Sequence, residues 1–340
     1  MITPVSRHLL KPALKRGALV AAANWPVVII QAVVDALFKA LIAMPLIGGI
    51  FLVALVIGAE PGILMSLAWR DLIATIVASL VSRPLVLVAF LLALGIVVIG
   101  GSLFVFLFKA GTVGILVRGE RTAGPIELTP LHFSAVSRAT AFSLERFEEC
   151  ARSLYPRYAR LGAVLGGVYV VSGLGYLMAV FASRTAGESW AMTALFTGAF
   201  VAWITIVNLI YLLMQIVIAV EDCSVAAAST RVGVFLRRER NAVAAVFGIV
   251  LLLVISAEGA SLLVMAALGL IGFVPVIGLT VWPLQFVAWL VRALVFQYIG
   301  LSSVGAYVKL YRGVSAEADR PLFADAELRG ADLNVRPSTQ

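Results

Sequence analysis

The sequence predicts an all-α fold, a polytopic transmembrane helical bundle of about six spans with interfacial amphipathic helices. Composition is the first observation behind this. Of 340 residues, 62% are hydrophobic and 13% charged, against ~45–50% and ~25% in soluble domains, and the mean hydropathy is +1.05. The second is length: six stretches reach the ~20 apolar residues needed to cross ~30 Å of hydrocarbon. Their runs are continuous and do not alternate over ~10-residue segments, which favours helices over a barrel. Collagen-like, disordered and disulfide-rich classes are excluded as well. The two cysteines, Cys150 and Cys223, are too few for a disulfide framework or a metal cluster.

In chain order, residues 1–39 read as a cytoplasmic N-terminus and interfacial helix, 40–314 as the membrane domain, and 315–340 as a polar tail. The basic start followed by an apolar run raises the question of a signal peptide. The run is too long and no small-x-small cleavage site precedes a soluble domain, so an uncleaved first helix is expected. Asn24, Gln31, Asp35 and Lys39 share one helical stripe over 24–39. Asn24 suits a cap and Pro26 a first turn. A helix continuing unbroken to Gly58 overshoots the bilayer, so a bend near Pro45 or Gly48-Gly49 is expected. The spans follow at 40–58, 84–108, 161–182, 191–220, 243–272 and 281–308. The first four contain no charge, the fifth carries Glu258 and the sixth Arg292.

Two further amphipathic segments are expected. Over 61–82 the residues Ser66, Arg70, Thr75, Ser79 and Ser82 form a polar stripe on the outer side, with Trp69 suited to headgroups; a re-entrant helix is the alternative. Over 133–160 the residues Val136, Thr140, Leu144, Phe147, Ala151, Leu154 and Tyr158 recur every three or four positions. Arg138, Glu145, Glu148, Glu149 and Arg152 lie opposite them. This helix either docks a protein partner or anionic lipid, or packs under the bundle with its far face solvated. The tail, 315–340, lacks apolar periodicity and is expected to be disordered alone. It is a second candidate surface for a protein partner.

Orientation follows from Lys and Arg. With the N-terminus inside, 21 basic residues lie in the N-terminal segment, the loops after spans two and four, and the tail. Three, Arg70, Arg83 and Arg184, lie outside. This asymmetry places both termini in the cytoplasm of a multi-pass protein of the bacterial cytoplasmic (inner) membrane. The net charge of +8 then records loop placement. Membrane lipids are expected partners and nucleic acid is not.

The segment 215–253 reads QIVIAVEDCSVAAASTRVGVFLRRERNAVAAVFGIVLLL. An apolar helix ends in Val-Glu-Asp, a short Ala-rich helix with Ser229 follows, then a basic patch and the next span. Residues 109–125 read KAGTVGILVRGERTAGP after span two. The pattern resembles bacterial six-span families that include the membrane domain of some glycerophosphodiester phosphodiesterases and the YciC-like proteins, over about half the chain. The resemblance implies a helical bundle with inner amphipathic helices. The soluble phosphodiesterase barrel has no counterpart here, so its chemistry does not carry over.

Catalytic patterns are sparse. The two histidines, His8 and His132, lie outside the spans, which argues against haem held by paired membrane histidines and against a His-rich metal site. No HExxH, GxxxxGK[ST] or GxSxG motif occurs, and no cofactor is implied. Gly300 to Gly305, GLSSVG, and the Gly162/Gly166 pair continued by Gly173 read as small residues for helix packing. The informative residues are Glu258 and Arg292, because a charge in hydrocarbon is costly unless paired or hydrated. Folding a hairpin near Pro275 to Gly278 brings them within reach of each other. Asn208 and Gln215, with Thr205, add polar groups on span four, and Gln285 adds one on span six. This cluster reads either as an ion pair that locks helix register or as a transport or proton-relay site. The expected function is therefore a non-catalytic structural or accessory membrane protein, such as a subunit of a larger complex. The alternative is a small transporter or channel-like protein acting at Glu258 and Arg292. An intramembrane lipid enzyme has almost no residue support.

Overall fold

The computed structural model describes residues 4–58, 62, 71, 75, 78–79, 81–127, 133–185, 190–272 and 278–318. Their regular structure is helical throughout. In order the helices are α1 (Pro4–Ala23), α2 (Trp25–Ile57), α3 (Pro84–Thr122), α4 (Phe133–Arg138), α5 (Leu144–Thr185), α6 (Trp190–Glu221), α7 (Val225–Gly272) and α8 (Gly278–Ala318). Six of them, α2, α3 and α5 to α8, are long and apolar enough to cross a membrane. This is the helix content of a multi-pass membrane protein.

The helix ends have local causes. Gly58 (φ 71) follows α2, Gly124 (φ 61) follows α3, and Asp222 (φ 50) follows α6. The left-handed conformation at these positions turns the chain out of a helix. Ser143 opens α5 and Ser224 opens α7. Their hydroxyls accept the Arg146 and Ala227 backbone N–H groups at 3.2 and 3.3 Å, as N-caps do.

Three sequence expectations are revised. First, 25–39 and the start of the expected first span form one helix with no break between them. This is α2, which runs 33 residues through Pro45. A proline removes one N–H bond, and the turns on either side carry the helix on. Its polar stripe is covered at one end only: Asn24 and Gln31 are buried, while Asp35 and Lys39 pair at 2.7 Å with the Lys39 side chain exposed. Second, 133–160 is not one helix. α4 stops at Arg138 because the Asn24 amide bonds the following loop, donating to the Ala139 carbonyl and accepting from the Ala141 and Phe142 N–H groups at 2.9–3.0 Å. Asn24 is thus a clip between segments over 110 residues apart. From Leu144 the helix runs on into the third span. Phe147, Ala151, Leu154 and Tyr158 form the buried face foreseen there. Third, the glycine stripe is only half used. A Cβ on Gly162 would collide with the Phe106 ring, whereas Gly166 and Gly173 face open space.

α7 behaves as its sequence suggests. Its 48 residues make about 72 Å of helix, too long for one crossing. Glu239 (φ −117, ψ 28) leaves helical geometry and divides an Ala-rich amphipathic helix from the span. The tail expectation meets α8, which stays helical to Ala318; 319–340 and most of 61–82 lie outside the described residues.

The chain divides into two compact units. One comprises Pro26–Gly114 and Ser143–Phe200. There Phe38 fills the space over Gly101, Phe147 that over Gly111 and Cys150 that over Gly114. Tyr176 stacks on Phe200 at 4.6 Å and its hydroxyl meets Thr197 Oγ1 at 2.9 Å. The other comprises Met1–Trp25, Ile115–Phe142 and Val201–Gln340. Its described helices include α1, which packs on α8, α7 and α4. α1 and α8 cross backbone to backbone: a Cβ on Gly305 would lie 2.8 Å from Gly17 Cα. The packing role foreseen for the GLSSVG run is met here.

Candidate functional site

The second unit holds two charged sites of different character. The first is built from α1, the end of α3 and the end of α8. The Gly17–Gly305 crossing draws α1 against α8, and Tyr298 OH bonds the Ala18 carbonyl at 3.1 Å. That places Arg16, only 5% exposed, among acidic partners. Its Nε meets Glu120 Oε1 at 3.0 Å, its Nη2 donates to the Glu120 carbonyl at 2.8 Å, and its Nη1 donates to Glu127 Oε2 at 2.6 Å and to the Gly124 carbonyl. The left-handed Gly124 turns the chain so that Glu127 returns to Arg16. From α8, Arg312 pairs with Glu120 Oε2, and Lys309 Nζ with Glu127 Oε1 at 3.2 Å. Lys15 Nζ donates to the Glu127 carbonyl at 3.1 Å.

Burial pushes the Glu127 carboxyl up. Its backbone hydrogen bond, the bond and charge from Arg16 and the bond from Lys309 together outweigh this and hold it below its ordinary value. All four carboxylate oxygens of Glu120 and Glu127 accept from cations. Charge-assisted bonds of this kind are the strong ones, and the cluster acts as a clamp joining α1, α3 and α8. A smaller clamp joins α6 to its neighbours. Glu221, at the end of α6, is held by Arg231 of α7 and the Tyr311 hydroxyl of α8. Arg121 Nη2 donates to the Val220 carbonyl at 2.7 Å.

The second site is the pair foreseen in the sequence. Arg292 Nη2 reaches Glu258 Oε1 at 2.7 Å and Oε2 at 2.8 Å. The guanidinium also lies 5.5 Å from the Phe296 ring centroid. Unlike the clamp, it is half-covered, with side chains 40% and 42% exposed. Arg292, though not Glu258 itself, lines an open groove of ≈ 450 Å³ between α7 and α8, with Ala257, Ala260, Ser261, Val264, Val291 and Val295 among the other lining residues. The other members of the expected cluster do not join it. Asn208 is exposed on α6, Gln215 is buried on α6 and Gln285 is half-buried on α8. None of the three lines the groove.

The clamp residues were not singled out by sequence. Arg16, Lys309 and Arg312 counted only as inner-loop charge, Glu221 only as part of the Val-Glu-Asp helix end, and Glu120 and Glu127 were given no role. The available signal was acid among base: each of these glutamates stands within a few residues of a helix end, in a segment that is otherwise basic. Comparison with family models, curated proteins and solved structures returns no match.

Proposed function

We propose that this chain is a non-catalytic multi-pass protein of the bacterial cytoplasmic membrane, structural or accessory in role, with both termini cytoplasmic. One observation carries the reading. Four basic segments far apart in sequence converge: Arg16 of the N-terminal helix, Arg121 after span two, Arg231 after span four, and Lys309 and Arg312 before the tail all enter the two clamps. Segments whose charged side chains meet in these two clamps, both of which draw on the ends of α3 and α8, share one side of a membrane. Their excess of Lys and Arg favours the cytoplasmic side. The clamps spend their charges on each other, which suits a scaffold. Transport through Glu258 and Arg292 is less well supported, because the groove beside them is lined by apolar side chains apart from Ser261 and Arg292. The resemblance to the six-span families supports the same bundle and adds no chemistry.

Side-specific labelling tests the reading. With Cys150 and Cys223 replaced by alanine, Lys11→Cys and Arg238→Cys are expected to react with an impermeant maleimide only in inverted vesicles. Arg83→Cys is expected to react only in right-side-out cells. External labelling of Lys11→Cys or Arg238→Cys overturns the map.

A further inference from the structure

We propose that the α7–α8 groove docks a second copy of this chain, and that Glu258 and Arg292 of the two copies close into one four-membered ion ring. The proposal rests on the reading of α7 and α8 as a membrane hairpin, which the labelling above checks independently.

The pair lies at mid-depth. Glu258 is fourteen residues before the end of α7 at Gly272, and Arg292 fourteen after the start of α8 at Gly278. At 1.5 Å per residue each is about 21 Å from the turn, near the middle of a bilayer ~40–45 Å thick with its headgroups. There the pair is incomplete. A guanidinium has five N–H donors. Arg292 uses Nη2 alone, and its Nε and Nη1 have no acceptor among the described residues. Each Glu258 oxygen accepts one bond and has capacity for another.

The occupant of the groove must therefore bring acceptors to mid-membrane depth. It must bring no net charge, because the pair is already neutral and an added anion would leave an unpaired charge in hydrocarbon. It must also bring apolar surface. A phospholipid fails the first condition, since its phosphate and esters sit at the interface and only acyl chain reaches this depth. A second copy meets all three. A two-fold axis along the membrane normal presents every residue at its own depth in the other copy. Arg292 of one copy then meets Glu258 of the other, and the two spare acceptor positions of each Glu258 take two of the three spare donors of the opposite Arg292. Ala257, Ala260, Ser261 and Ala288 keep the surface low enough for close helix approach.

The test uses the full chain in its native membrane with both natural cysteines replaced by alanine. Ser261→Cys and Ala288→Cys lie in the groove. Leu263→Cys, at a position 74% exposed and outside the groove lining, is the control. Oxidation is expected to convert most of the groove variants, and little of the control, to a species of twice the chain mass. Charge reversal supplies a second readout. Differently tagged Glu258→Arg and Arg292→Glu chains are expected to co-purify with each other but not with themselves, a rescue in trans that a purely internal pair cannot give. If the reversed chains fail to insert, cross-linking alone decides. Equal or absent cross-linking at groove and control, or an adduct of another mass, overturns the proposal while the labelling map stands. A collapsed map overturns the membrane reading itself.

Discussion

Arg16 and Arg292 are both arginines held by glutamate, but one is enclosed and the other is half open. Around Arg16 the carboxylate side chains are 3% and 5% exposed, and each carboxylate oxygen has a cationic partner. At Arg292 two-fifths of the side chain is uncovered and its Nε and Nη1 donors find no acceptor among the described residues. Removing one member of an enclosed ion pair leaves a charge that can neither hydrate nor find another partner, which costs more than the pair was worth while intact. An uncovered pair depends instead on what lies next to it. The clamp therefore belongs to the fold of the single chain, and the hairpin pair to association.

The largest effect is expected at the clamp. Arg16→Met removes the one cation that Glu120 and Glu127 share and leaves each buried carboxylate with a single ion-pair partner, Arg312 or Lys309; it is expected to cost about 3 kcal/mol, read as a loss of unfolding temperature in detergent. A loss no larger than that of Arg292→Met would erase the distinction between the two sites. Next comes the hairpin. Glu258→Gln leaves an arginine that cannot shed its charge near neutral pH, for about 2–3 kcal/mol. Arg292→Met leaves a carboxyl that can take a proton and is expected to cost less. The opposite order in thermal melts would mean that the pair is not in a low-dielectric setting.

A smaller effect is expected where α1 meets α8. Gly17→Ala puts a Cβ against the Ser302 carbonyl and 2.5 Å from the Ala306 nitrogen. These are backbone atoms that cannot swing aside, so about 1–3 kcal/mol of overpacking is expected. Gly313→Ala, which meets nothing within 4 Å, is expected to be neutral. The smallest effect is pH-dependent. Glu127 has a folded value below its ordinary 4.5. Its contribution is therefore complete above that value and is lost as pH falls through the lower, folded one. Glu127→Gln is expected to flatten the acid side of the stability curve. An unchanged acid slope would show that Glu127 does not titrate with unfolding.

What could be read in the sequence follows from the same contrast. Glu258 and Arg292 stand out because an apolar run has no other charges, and hairpin geometry alone brings them together. Glu120, Glu127 and Arg16 are hidden because charge is ordinary between spans, and their meeting depends on contacts more than 100 residues apart. The six spans were legible as long apolar runs. Helix continuity was not. The break at 139–143 has no Pro or Gly and depends on the Asn24 amide, supplied from a distant segment. Span four's polar residues shared a helical spacing, but spacing does not fix rotation about the helix axis, and Asn208 and Gln215 do not line the groove.

The division of labour between the two sites is tested most directly by thermal-ramp native mass spectrometry of the purified full chain, which reads copy number and unfolding together. Arg16→Met is expected to remain a dimer and unfold at a lower temperature than the unsubstituted chain. Glu258→Leu/Arg292→Met is expected to be monomeric and to unfold near the unsubstituted chain's temperature, since replacing an ion pair by apolar residues of similar size is often neutral. A hairpin variant that stays dimeric, or that unfolds as early as Arg16→Met, would contradict the assignment.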